Sequence, residues 1–316
     1  MSRQPISGNP QIVAEVGDRV GEGIVWIAEE SAAYWTDMTR FLVHRWSAGD
    51  HSVSTWEFEE PVVALARTDR PGILLAALGS RLILWRPSDG QRMDHGPEIP
   101  GWPRVRFNDG RPDPAGNFWV GSMWNNISPQ GQVSEVPTAE GVLYRVDGNG
   151  EMTEFKRDIG ISNTVCWSPD GGRFYFADTL ANRIWSYDYD VRNASISNER
   201  EFFSGFARGL PDGSCVDSAG YLWNCRFGGG CVVRIAPDGT IDRVVEMPCK
   251  NVTTCTFGGD ALTTLLITTA NPEGSDGGSA GHLFALEVDA PGLPERSYRV
   301  RGAPIGSNEV NQPSRP

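Results

Sequence analysis

The chain has 316 residues and carries 40 acidic against 28 basic side chains, a net charge of −12. That balance lacks the basic footprint needed to bind nucleic acid or an anionic membrane surface, so neither is expected as a partner. Hydrophobic content of 39%, with 37 glycines, 22 prolines and 11 tryptophans, excludes a disordered chain and describes a turn-rich one of many short strands.

Residues 1–10 contain no apolar core of a signal peptide, and no run approaches about 18 apolar residues, so a cytoplasmic location is expected. Six cysteines (Cys166, Cys215, Cys225, Cys231, Cys249 and Cys255) include no C-x-x-C pair and read as buried free thiols.

In chain order, Gln11 to Val16 is a short strand ahead of the first repeat. Turn-flanked strands then recur at Tyr34-Trp35, Leu74-Leu75, Phe118-Trp119, Phe174-Tyr175, Leu222-Trp223 and Leu265-Leu266, at intervals of roughly 40 to 56 residues. Each is followed by another short strand, from Phe41 to Trp46 in the first repeat and His282 to Leu286 in the last. Turns such as Pro87-Ser88-Asp89-Gly90 and Asp147-Gly148-Asn149-Gly150 come next, and most lead into a polar-rich run such as Glu151 to Phe155. The period fits one four-stranded antiparallel sheet per repeat and does not fit a sandwich or barrel.

The expected fold is therefore all-β: a six-bladed β-propeller of four-stranded antiparallel blades, with Gln11 to Val16 closing the last blade from outside. One domain is expected over residues 1–316, with 1–10 and 302–316 as loose tails.

In such a ring the first strand of every blade lines the channel, so the strand heads converge. They read Gly21-Glu22-Gly23, Pro61-Val62-Val63, Phe107-Asn108-Asp109-Gly110, Ser162-Asn163-Thr164, Pro211-Asp212-Gly213 and Asn251-Val252-Thr253. Five of the six carry a carboxylate or an amide. Asn and Asp also favour turns for their own sake, and it is the convergence of distant blades that singles out Glu22, Asn163 and Asp212. Two carboxylates and an amide carbonyl are hard oxygen donors suited to a divalent cation such as Ca, Mg or Mn.

The segments Gly21-Glu22-Gly23-Ile24-Val25-Trp26, Arg106-Phe107-Asn108-Asp109-Gly110 with Asp113-Pro114-Ala115-Gly116, Ile161-Ser162-Asn163 with Trp167-Ser168-Pro169-Asp170-Gly171, and Leu210-Pro211-Asp212-Gly213 with Trp223 resemble the gluconolactonase and regucalcin (senescence marker protein) family. The similarity runs from about Val16 to Val288. It implies a metal-dependent sugar lactonase that opens an aldono-1,4- or 1,5-lactone to the aldonic acid. It further implies that Glu22, Asn163 and Asp212 bind one divalent cation (Ca, Mn, Mg, Zn or Fe) and that Asp212 is the general base. By the same match Arg106 and Asn108 hold the sugar, with Asn108 near the metal; the adjacent Asp109 reads as a residue that only shapes the turn. The expected partner is a small-molecule sugar lactone, with the chain a monomer or weak homo-oligomer.

The resemblance has departures. Ile24 replaces a usual proline, and Asn126 stands where the regucalcin branch places a substrate-contacting carboxylate; an amide there still hydrogen-bonds hydroxyls but adds no charge. The loop to Glu140 is either a lid or rim or an ordinary long connection. Arg226 stands either at the channel mouth or, as the favoured reading, as a solvated arginine. Rival readings are a non-enzymatic calcium-binding or docking propeller, and a related metal-dependent esterase or organophosphate hydrolase.

Overall fold

Six four-stranded antiparallel sheets are arranged around a central channel in a computed structural model that describes residues 9–274 and 278–302. Most of the expected tails, residues 1–8 and 303–316, lie outside the described residues. The inner strands are Gly21–Ile27, Val62–Arg67, Val105–Pro112, Ser162–Trp167, Leu210–Val216 and Asn251–Gly258, in blades one to six. Each packs against the next, and the last packs against the first, so the ring closes.

Closure is completed by the N-terminal strand, Gln11–Ala14, which pairs antiparallel with Leu283–Glu287 as the outer strand of blade six. That position matches the expectation from sequence. It leaves the final repeat with the same four strands as the others and covers the outer edge of Leu283–Glu287.

Burial follows sequence pattern. Second strands such as Leu74–Leu78 are apolar and buried throughout, because neighbouring blades cover both faces. The outer strand Val53–Glu57 is largely exposed and correspondingly polar. Between blades three and four, Trp119 lies 6.3 Å from Trp167 and 5.3 Å from Phe174, ring centre to ring centre. Each buried Phe or Leu of these interfaces contributes about 1.5–3 kcal/mol through removal of apolar surface from water.

A buried aspartate at the turn after the inner strand anchors blades three and five. Asp113 accepts from Trp119 Nε1 at 2.8 Å, and Asp217 accepts from Trp223 Nε1 at 3.0 Å. Asp217 also accepts from the buried Arg234 at 2.6 Å, so each charge compensates the other in a buried site. Removing one partner of such a pair generally costs about 3–5 kcal/mol. All six cysteines are free and buried, as expected.

All inner strands run the same way along the channel. Their first residues meet at one mouth, while the last ones, Arg111, Cys166, Cys215 and Thr256 among them, line a separate cavity at the other. There the segment after the last blade acts as a strap: Gly292 bridges Asp217, Tyr298 bridges Thr68, and Arg299 N donates to Gly116 O at 2.8 Å. Glu295 from this strap accepts from Arg111 Nη1 at 3.2 Å and from the Thr256 hydroxyl.

Candidate active site

Every inner strand breaks register with its neighbour near its head. The breaks fall between Glu22 and Val25, Val62 and Ala64, Phe107 and Gly110, Asn163 and Cys166, Pro211 and Ser214, and Val252 and Cys255. A bulge of this kind re-aims a side chain out of the pleat. Here Glu22, Asn108, Asn163 and Asp212 all sit at or inside one, and all four line one cavity of about 240 Å³. Two glycines make the geometry possible. Gly23 has φ +57°, and a Cβ on Gly213 would stand 2.1 Å from Thr254 Oγ1.

The structure brings together in this cavity all six residues singled out from sequence: Glu22, Arg106, Asn108, Asn126, Asn163 and Asp212. Glu22, Asn163 and Asp212 are buried. Thr179 Oγ1 donates to Pro211 O at 2.8 Å and accepts from Asn163 Nδ2 at 2.8 Å. This fixes the Asn163 amide, and its Oδ1 faces Asn108 Nδ2 at 3.4 Å.

Glu22 Oε2 accepts only a 3.2 Å bond from Gly23 N, and no ion pair among the described residues includes Glu22, Asp109 or Asp212. Burial, reinforced by the Asp109 charge, therefore pushes the Glu22 carboxyl up to about 8. Asp212 is raised well above the usual carboxylate range by burial first, then by Glu22 and Asp109. Buried carboxylates so placed are relieved by protonation or by a bound cation, and with the Asn163 oxygen they offer hard donors that fit Ca, Mg or Mn. Among the described residues no three His, Cys, Asp or Glu side chains cluster as a metal site; the set here counts an amide as its third donor.

Arg106 is the buried cation of the cavity. Its Nη1 donates to Phe107 O at 2.8 Å and Asn108 Oδ1 at 2.7 Å, its Nη2 donates to Asn126 Oδ1 at 2.9 Å, and its Nε has no partner. Burial lowers it to about 10, opposed by Glu22. With amides rather than carboxylates as direct partners, the guanidinium keeps its full charge toward the cavity.

Three features differ from, or add to, the sequence reading. Asp109 does more than shape a turn: it accepts from Val165 N at 3.2 Å and couples electrically to both Glu22 and Asp212. Arg226 is not solvated. It is 1% exposed and donates to Asn182 Oδ1 and Gly209 O, both at 2.7 Å, because the blade-five turn folds over it. The loop to Glu140 forms a rim, since Ile127 bridges Val133 and both line the cavity. The only sequence sign of that rim is two aliphatic residues within the polar run Asn125 to Glu135.

A propeller whose channel ends in a polar-floored pocket, closed behind by its own strap, is of the class that binds a small molecule at one mouth. The chain belongs to the SMP-30/gluconolactonase/LRE-like family, whose signature it matches over residues 20–271. It is 36% identical to pentonolactonase XacC of Haloferax volcanii, an alignment covering 92% of this chain and 98% of that one. It is 33% identical to 6-deoxy-6-sulfogluconolactonase of Pseudomonas putida, covering 87% and 94%. Among solved structures it is similar to the calcium-binding protein regucalcin of Agrobacterium tumefaciens, with a TM-score of 0.85 and 28% identity over 93% of this chain and 98% of that one. No helix among the described residues is long and apolar enough to cross a membrane.

Proposed function

We propose that this chain hydrolyses a sugar lactone, an aldono-1,4- or 1,5-lactone, to the aldonic acid with the help of one divalent cation held by Glu22, Asn163 and Asp212. The observation that carries the reading is a pair of buried carboxylates and an amide oxygen in one cavity, with no cationic side chain paired to either carboxylate, in a chain whose relatives include lactonases. When bound, such a cation supplies Lewis-acid polarisation of the lactone carbonyl.

The remaining steps belong to the protein. Asp212 takes a proton from the attacking water, a role that needs a carboxylate with affinity for a proton near the working pH. Its second oxygen stays available to the cation. Arg106 presents its fork to the ring oxygens of the substrate and to the carboxylate released on opening. Asn108, held by Arg106 and by a 2.8 Å bond to Ser162 O, fixes the Arg106 fork relative to Asn163.

Proton release from a panel of aldonolactones, with metal-replete and chelator-treated protein, tests this directly. Opening of at least one lactone that stops on chelation and returns with added Mn or Ca is the expected result. No chelator-sensitive rate on any lactone would set the proposal aside in favour of a non-enzymatic calcium-binding propeller.

A further inference from the structure

The lining of the cavity combines a polar floor, made by the inner-strand heads, with an apolar wall to which residues 125–134 contribute Ile127 and Val133. On the floor, most neutral polar groups are already engaged. Asn108 Nδ2 donates to Ser162 O, and Asn126 Nδ2 donates to Ser134 O at 3.1 Å while its Oδ1 accepts from Arg106. The hydroxyls of Thr179 and Thr253 donate to Pro211 O and to Gly21 O. Glu22, Asp212, Asn163 Oδ1, Arg106 and the second N–H of Asn126 keep capacity for a cation or a substrate. The apolar part of the lining includes Met38, Met123, Ile127, Val133, Ile161 and Phe227.

This wall is built, not incidental. Residues 125–134 fold into a hairpin whose base is clamped twice, by Asn126 Nδ2 to Ser134 O and by Ser134 N to Asn126 O at 2.9 Å. Its tip rests on blade one: Gly131, at φ +72°, lies so close that a Cβ would stand 1.9 Å from Thr39 O. The hairpin leaves blade three and reaches past blade two to do so. Val133 lines the cavity although it is 52% exposed, so an aliphatic side chain stands at the mouth where a polar one would ordinarily be. Asn126 thereby acts as the tie between this hairpin and Arg106, with one of its two amide N–H groups donated to Ser134 O.

We infer that the hairpin makes the site selective for lactones whose exocyclic end is apolar: a terminal-deoxy aldonolactone ending in methyl is preferred to its counterpart ending in hydroxymethyl. This rests on the lactonase reading above. The ring hydroxyls and carbonyl face the polar floor, and the chain end faces the wall. A hydroxyl placed against the buried Met38, Met123 and Ile127 exchanges water partners for apolar neighbours, whereas a methyl gains contact. A hydrophobic pocket discriminates against an added hydroxyl by about 10- to 100-fold at most, and that is the scale expected here.

The test is kcat/KM by proton release on the metal-replete full chain, for matched pairs of aldono-1,4-lactones that differ only in CH3 against CH2OH at the chain end. The deoxy member is expected to be favoured by about tenfold or more. Val133→Asn, at an exposed position, is expected to shrink that ratio by about threefold or more by supplying a partner for the hydroxyl. Val133→Ala keeps the rim apolar and keeps the preference. Equal or reversed preference in the wild type, or a ratio unmoved in Val133→Asn, overturns the inference and leaves the lactonase reading standing. If no lactone of either kind is opened, the lactonase reading itself fails and the inference goes with it.

Discussion

Asp212→Asn lowers kcat on the best lactone by about 100- to 10,000-fold, the contribution of a positioned general base. The fold survives the change, because the bonds that hold this strand head use the backbone. Asp212 O accepts from Thr164 Oγ1 at 2.6 Å and from Asn224 Nδ2 at 3.3 Å, and neither bond involves the carboxylate. The amide fills the same volume without a charge that burial disfavours. Near-normal turnover in this variant, with circular dichroism showing a native fold, removes the base assignment.

The second large effect is on cation affinity and its dependence on pH. Glu22 in the folded protein is raised to about 8 from an ordinary value of 4.5. Between those two pH values the folded state holds a proton that the unfolded state has released. Stability of the cation-free protein is therefore fully present below the unfolded value and is lost as pH rises through about 8, and Asp212 acts in the same direction. A cation competes for the same oxygens, so its apparent affinity rises with pH across that window and binding releases protons. Glu22→Gln removes one of the two formal charges, weakens the affinity by about tenfold or more, and flattens the pH dependence. Calorimetric titration with Mn at pH 6 and pH 8, in buffers of different ionisation enthalpy, reads both quantities. An unchanged titration in Glu22→Gln counts against this carboxylate as a ligand.

Much of the fold was legible because propeller blades are locally encoded. The second strand of each blade is a buried run between turn residues, as at Phe174 to Ala177 after Ser168-Pro169-Asp170-Gly171-Gly172, and such runs need no distant information to recognise. The closing role of Gln11–Ala14 followed from the ring needing one more strand than the last repeat supplies. The strand heads were legible as well, since Glu22, Asn163 and Asp212 are short polar residues recurring at one point of a repeating unit.

What escaped the sequence depends on partners far along the chain. Nothing local shows that the Asn126 amide is also held, its oxygen by Arg106 and one of its two N–H groups by Ser134 O. Asp109 read as a turn former because its effect on Glu22 and Asp212 acts through space between three blades. Arg226 read as solvated because long cations normally are, but its donors are taken by backbone carbonyls and an amide under the turn that covers it. The strap that carries Glu295 and Tyr298 has no repeat period, so the pattern that exposed the blades is silent about it.

A cation-assisted site of this kind requires Glu22, Asn163 and Asp212 to share one ion. Crystals of the full chain grown with Mn and measured for anomalous scattering settle this. The predicted result is one strong peak at the channel mouth, with a carboxylate oxygen of Glu22, a carboxylate oxygen of Asp212 and Oδ1 of Asn163 each at about 2.0–2.4 Å. A peak held by other residues, or none at this mouth at saturating Mn, would contradict it.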